Sequence, residues 1–202
     1  IWSAGGQQAE RFLLLHASGG TTDLLLCERR EDSRYNLTQV GGSLDLHAGQ
    51  FVDRIGVALG LQFPTGPALE QLAEQAEKPL ELPVSVRKLD VSLSGPATAA
   101  MRKLEAGANA ASLALGVEHT LAELYGKESG FCHGRGGSMH VTKVESGLLG
   151  ANGVGSNKYI RKHVEEKLAK RRVRLWVPEG RFSCDNASGC AAVAWRLHKK
   201  ND

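Results

Sequence analysis

Phe12-Leu13-Leu14-Leu15-His16-Ala17-Ser18-Gly19-Gly20-Thr21-Thr22-Asp23-Leu24-Leu25-Leu26-Cys27-Glu28 decides how this chain folds. Two apolar runs of strand length flank Ser18-Gly19-Gly20-Thr21. Apolar run, glycine turn, apolar run predicts a β-hairpin, Phe12–His16 against Thr22–Glu28. Glycines in such a turn let backbone N–H groups come close to a phosphate, and the hydroxyls add donors. The same residues also serve as a plain turn.

Outward from the hairpin, Tyr35–Val40 predicts a third strand before Gly41-Gly42. Phe51–Leu61 reads as a buried helix that ends near Gly60. Pro64-Thr65-Gly66-Pro67 is a rigid turn, and Pro67 opens a helix with Leu69, Leu72, Ala73 and Ala76 on one face. A strand follows at Leu89–Leu93, then helices at Pro96–Gly107 and Ala110–Tyr125. From Gly126 to Gly155 the chain is dense in glycine. A basic helix spans Lys158–Arg172, a strand Val173–Val177, and a last helix Ala187–His198. Strands interleaved with helices predict an α/β fold.

The bulk properties agree. The 202 residues carry 25 Lys and Arg against 22 Asp and Glu, a net charge of +3, with 42% hydrophobic residues. That composition excludes a disordered or fibrous chain. No apolar run approaches the roughly 20 residues of a bilayer-spanning helix, so no membrane is expected. Cys27, Cys132, Cys184 and Cys190 are scattered, without C-x-x-C, and read as reduced thiols of a cytoplasmic protein. The chain opens on Ile1-Trp2-Ser3-Ala4, without a signal peptide, and reads as starting inside a longer protein. A mild basic excess permits nucleic-acid contact without requiring it.

The motifs form a series. After Ser18-Gly19-Gly20-Thr21-Thr22 come Ala48-Gly49-Gln50-Phe51-Val52-Asp53-Arg54 and Leu59-Gly60-Leu61-Gln62-Phe63-Pro64-Thr65-Gly66-Pro67. Leu89-Asp90-Val91-Ser92-Leu93-Ser94-Gly95-Pro96 follows. Gly155-Ser156-Asn157-Lys158-Tyr159-Ile160-Arg161 and Ser183-Cys184-Asp185-Asn186-Ala187 stand near the other end. In this order they resemble the tRNA N6-adenosine threonylcarbamoyltransferase family, TsaD. The resemblance implies an actin-like fold of two RNase-H-like α/β lobes with nucleotide in the cleft. It implies transfer of threonylcarbamoyl from its adenylate to N6 of adenosine in tRNA, with partner proteins of the same pathway. Carried over, Ser18, Gly19 and Gly20 face the phosphate or carbamoyl part of the ligand. Asp53, Gly66 and Asn157 hold ribose and base. The resemblance further implies that Asp185 would be a metal ligand for iron, zinc or magnesium, with ATP or threonylcarbamoyl-adenylate as the nucleotide. Read from the residues alone, Asp185-Asn186 instead caps the last helix.

Two departures accompany the resemblance. The family's other metal ligands are two histidines spaced H-x-x-x-H upstream of the hairpin, and no two histidines here are four apart. The N-terminal lobe is expected to be largely missing. The chain alone is therefore expected not to transfer the group, and no residue is assigned as catalytic. Second, Gly134-Arg135-Gly136-Gly137-Ser138-Met139-His140 and Leu149-Gly150-Ala151-Asn152-Gly153 resemble the α-subunit of thiamine-diphosphate-dependent 2-oxo acid or acetoin dehydrogenases. There Ser138 and His140 lie near the diphosphate, but the cofactor motif G-D-G…N is absent. The expected organisation is a TsaD-like nucleotide-binding lobe over 1–125, a glycine-rich block over 126–153 in place of a helix and strand, and a TsaD-like segment over 154–202. The alternatives are a dehydrogenase fragment with thiamine diphosphate, or a non-catalytic nucleotide-binding scaffold. The basic helix touches tRNA phosphates or forms a solvated amphipathic face. Cys132, His133 and His140 lack a fourth zinc ligand at finger spacing.

Overall fold

The expected hairpin forms from β1 (Arg11–Ala17) and β2 (Thr22–Arg29), in register from Arg11 opposite Glu28 to Ala17 opposite Thr22. The computed structural model describes residues 9–32, 34–131, 146–151 and 154–177, with 191, 194, 195 and 198. The expected last helix, the Asp185 motif and the Cys132–His140 segment lie essentially outside the described residues.

β3 (Tyr35–Ser43) pairs antiparallel with β2, with an irregularity between Leu24 and Leu25. Four helices follow: α1 (Ala48–Ala58), α2 (Gly66–Ala73), α3 (Ser94–Glu105) and α4 (Ala110–Phe131). Between α2 and α3 a short hairpin, β4 (Ser85–Arg87) and β5 (Asp90–Ser92), joins the sheet through a parallel contact of β5 with β3. β6 (Ser146–Ala151) runs parallel to β1, and α5 (Lys158–Ala169) leads to β7 (Arg174–Trp176), parallel to β6. The described strands make one sheet in the order β4-β5-β3-β2-β1-β6-β7.

Alternation along β1 explains the layering. Leu13, Leu15 and Ala17 join Leu24 and Leu26 in the main core with Phe51, Ile55, Leu69, Leu121 and Ile160. Phe12 and Cys27 belong to a second cluster with Tyr35 and Trp176, where Phe12 meets both rings edge-on. α4 packs against α1, α2, α3 and α5 and is buried on most sides, which suits its near-continuous apolar run.

Several elements differ from expectation: β4 was not expected, and α1 spans Ala48–Ala58 rather than Phe51–Leu61. α4 does not stop at Tyr125 but runs to Phe131, because Gly126 faces α5: a Cβ there would collide with the Lys167 stem, so the glycine fits helix to helix rather than ending one. β6 arises inside the stretch read as displacing a strand, and its backbone pairs with β1 on one side and β7 on the other. α5 ends at Ala169 rather than Arg172, because Arg172 takes a φ of 59° and turns the chain into β7.

Candidate functional site

Ser18 organises the β1–β2 turn. Its Oγ accepts hydrogen bonds from Gly20 N (3.2 Å) and Thr21 N (3.1 Å) and lies 2.9 Å from Thr21 Oγ1. Thr21 Oγ1 is in turn 2.9 Å from His16 Nδ1. The serine hydroxyl thus holds the turn closed. Gly19 and Gly20 face open space, since a Cβ on either would meet nothing within 4 Å.

α1 begins on this turn. Gly49 N donates to Ser18 O (3.0 Å), and Ala48 N donates to Thr22 Oγ1 (2.8 Å). A Cβ at Gly49 would stand 2.6 Å from Gly19 Cα, so this approach needs glycine. The first turn of α1 carries no acidic residue, which leaves its positive end uncompensated on the helix itself.

Farther along α1, Asp53 Oδ1 accepts from Thr65 N (2.8 Å) and Thr65 Oγ1 (3.1 Å). The carboxylate caps α2 from outside, doing what an N-cap side chain does. Gly66 is the next residue, and a Cβ there would also meet nothing within 4 Å. Gly56 permits the contact, because a Cβ on it would overlap the Thr65 side chain.

α2 reaches the start of α5. Glu70 Oε1 accepts from Lys158 N (2.9 Å), and Glu74 pairs with Lys158 Nζ at 3.6 Å. Asn157 is buried and caps α5: its Oδ1 accepts from Ile160 N (2.9 Å), and its Nδ2 donates to Glu118 Oε1 (2.6 Å). Burial pushes the Glu118 carboxyl up to about 7; the Asn157 hydrogen bond pulls it down, and Glu70 and Glu74 add to the rise.

Ser18, Gly19, Gly20, Asp53, Gly66 and Asn157 therefore lie on one connected path, from hairpin turn to α1, α2 and α5. Asp185 lies outside the described residues. Glu70 and Glu118 were not expected. Glu70 had a signal, four residues after Gly66 and so on the same helical face. Glu118 had none, because its partner Asn157 is distant in sequence. A trio of potential metal ligands, His119, Glu123 and His163, lies where α4 meets α5 and shares no residue with this path.

Solved structures of similar shape define the class. An activator of 2-hydroxyisocaproyl-CoA dehydratase from Clostridium difficile, with bound ADPNP, matches over 98% of this chain and 66% of its own, with TM-score 0.56 and 11% identity. Full-length HypF in its phosphate- and nucleotide-bound form matches over 89% and 32%, with TM-score 0.68 and 10% identity. At such identities the likeness is one of fold, an α/β lobe of the actin-like ATPase kind.

Within that class the chain belongs to the tRNA N6-adenosine threonylcarbamoyltransferase (TsaD) family, whose model matches residues 3–192 and so runs through the glycine-rich block. It is 34% identical to a tRNA N6-adenosine threonylcarbamoyltransferase of Thermus thermophilus, over 94% of this chain and 55% of that protein. It is 31% identical to that of Thermococcus sibiricus, over 92% and 54%. A probable bifunctional tRNA threonylcarbamoyladenosine biosynthesis protein of Methanothermobacter thermautotrophicus is 32% identical, over 90% and 31%. The chain spans about half the length of the two threonylcarbamoyltransferases and less of the bifunctional protein.

Proposed function

We propose that this chain is the nucleotide-binding lobe of a tRNA threonylcarbamoyladenosine-forming enzyme. It would hold threonylcarbamoyl-adenylate while N6 of a tRNA adenosine attacks the carbamoyl carbon. The bond from that carbon to the phosphate oxygen breaks, AMP leaves with the electron pair, and N6 loses a proton. The observation that carries this reading is the junction of the hairpin with α1, where two open glycines lie beside the positive end of the helix dipole while Ala48 N and Gly49 N are spent on Thr22 Oγ1 and Ser18 O. That geometry suits an anion, and charge grows on the phosphate as AMP leaves.

Ser18 shapes the turn, and Gly19 and Gly20 line it for the phosphate or carbamoyl group. Asp53 spends Oδ1 on α2 and leaves Oδ2 for a ribose hydroxyl. Gly66, without a side chain, leaves room for sugar and base beside it. Asn157 sets the α5 end of the site. Asp185 would be one ligand of an iron, zinc or magnesium ion, and a carboxylate suits such a cation. When bound, the ion would orient and polarise the phosphate. ATP would occupy the same nucleotide site. The exposed positive charges of α5 suit tRNA phosphates, and proteins of the same pathway would supply the rest of the machinery in the cytoplasm. Among the described residues no helix is long and apolar enough to cross a membrane.

Calorimetric titration with ATP and magnesium tests the site. We expect saturable binding that Gly20→Leu abolishes while the melting temperature stays unchanged, because the side chain enters open space. A folded chain that binds no ATP overturns the reading. Thiamine diphosphate, the cofactor of the dehydrogenase alternative, serves as the negative control.

A further inference from the structure

We propose that His119, Glu123 and His163 form a binding site for a zinc-like divalent transition-metal ion that clips α5 to α4. His119 and Glu123 are four residues apart on α4 and so share one face of the helix. His163 comes across from α5. One ligand atom from each of the three lies within 4.8 Å of the others. His163 Nε2 is 2.9 Å from Glu123 Oε1, and the two imidazole rings meet at 5.2 Å between centroids, at a steep angle.

The surroundings orient these groups as an outer shell does. Tyr159 Oη is 2.9 Å from His119 Nδ1; when Nδ1–H donates to the phenol oxygen, the Nε2 lone pair is left for an ion. The Tyr159 ring also stacks on His163 at 5.8 Å and 14°. The His163 and Glu123 side chains are 25% and 22% exposed, enough for an ion to enter and too little for it to stay fully hydrated.

The position already holds positive charge. Lys167 Nζ sits on Glu123 Oε1, its stem lying over Gly126. That ammonium is the natural competitor. It is partly exposed, so it can swing into water and give its place to an ion.

Two imidazoles and one carboxylate suit zinc and its neighbours and leave a fourth position for water. Magnesium and calcium ask for oxygen ligands and are disfavoured. An ion bound here would add a coordination bridge to the packing and polar contacts that already join the two helices, and so raise the melting temperature.

The test titrates the full chain with cobalt(II) alone and follows its visible ligand-field absorption. We expect saturable uptake, displaced by zinc, that persists in Asp185→Asn. Affinity should fall by more than about tenfold in His163→Gln and in Glu123→Gln. It should rise in Lys167→Met, which removes the competitor and no ligand, so the proposal is tested even if a ligand variant folds poorly. A merely structural polar cluster would leave cobalt affinity indifferent to Lys167. No uptake, uptake unchanged by the ligand variants, uptake lost in Asp185→Asn, or a sulfur-to-cobalt charge-transfer band each overturns the proposal.

Discussion

Asn157 Nδ2 donates to Glu118 Oε1 across 2.6 Å, so the residue that caps α5 is held by a buried carboxyl on α4. Burial raises that carboxyl to about 7 from an ordinary 4.5, so the folded protein binds the proton more tightly than the unfolded chain does. Stability from this group is therefore whole below the unfolded pKa and is lost as pH rises through about 7. Glu118→Gln keeps the acceptor for Asn157 and removes the charge. We predict that the variant is more stable than the parent by about 1–3 kcal/mol at about pH 8, and that the gap closes at about pH 4. Thermal melts across that range check it; parallel curves would refute it.

Gly49→Ala should disturb the hairpin and α1 together. The added methyl meets backbone, Gly19 Cα at 2.6 Å and Gly19 N at 2.7 Å, not the movable end of a side chain. A loss of about 1–3 kcal/mol is expected in urea unfolding, accompanied by weaker ATP binding. The same change at Gly20, which meets nothing within 4 Å, should leave stability alone.

Asp53 has a structural duty beside any ligand it holds. Asp53→Ala should cost about 0.5–2 kcal/mol without nucleotide, because Thr65 N loses its acceptor and Thr65 Oγ1 keeps only Val52 O. Thr65→Val removes one of the same two bonds. The double variant should therefore cost less than the sum of the singles, as expected of residues that share a bond. Strict additivity in denaturant melts would show that the bond from Thr65 Oγ1 to Asp53 contributes nothing.

Asp45 supplies the cap that α3 lacks from its own N-cap residue. Its Oδ1 accepts from Leu93 N (2.9 Å) and Leu46 N (2.6 Å), and its Oδ2 accepts from Ser92 Oγ (2.6 Å). Burial works against ionisation here, but the hydrogen bonds from Ser92, Leu46 and Leu93 outweigh it and bring the carboxyl down to about 2. A depressed carboxyl stabilises above its unfolded pKa and loses that contribution as pH falls through the folded value. We predict that Asp45→Asn is less stable by about 0.5–2 kcal/mol at neutral pH, and that it matches the parent at about pH 2.

The hairpin was legible because its pattern is local, two apolar runs closed by a glycine turn. The order of the motifs carried the family and the approximate place of Asp53, Gly66 and Asn157. Non-local relations were not legible. Gly126 and Gly147 look like loop residues in isolation; one accommodates Lys167 from α5, and the other pairs opposite Leu13 in the sheet. The bond between Asp53 and Thr65 shows a residue read as a ligand holder acting also as a cap, a duty visible only once α1 and α2 are packed. β4 is three residues long and gains its place from pairing with β5, so no periodicity announces it.

The parallel join of Leu13 with Gly147, Leu14 with Leu148 and Leu15 with Leu149 also bears on how the protein comes to be made. β1 emerges well before β6 in synthesis and pairs at once with β2 on one edge. Its other edge must wait for a partner that emerges far later. In the interval the nascent chain offers a leucine-rich strand with unpaired amides and carbonyls, a ready template for another chain. Closure over so long a separation is slow. Soluble yield should therefore depend on how quickly β6 arrives and on whether a chaperone shields β1 until it does.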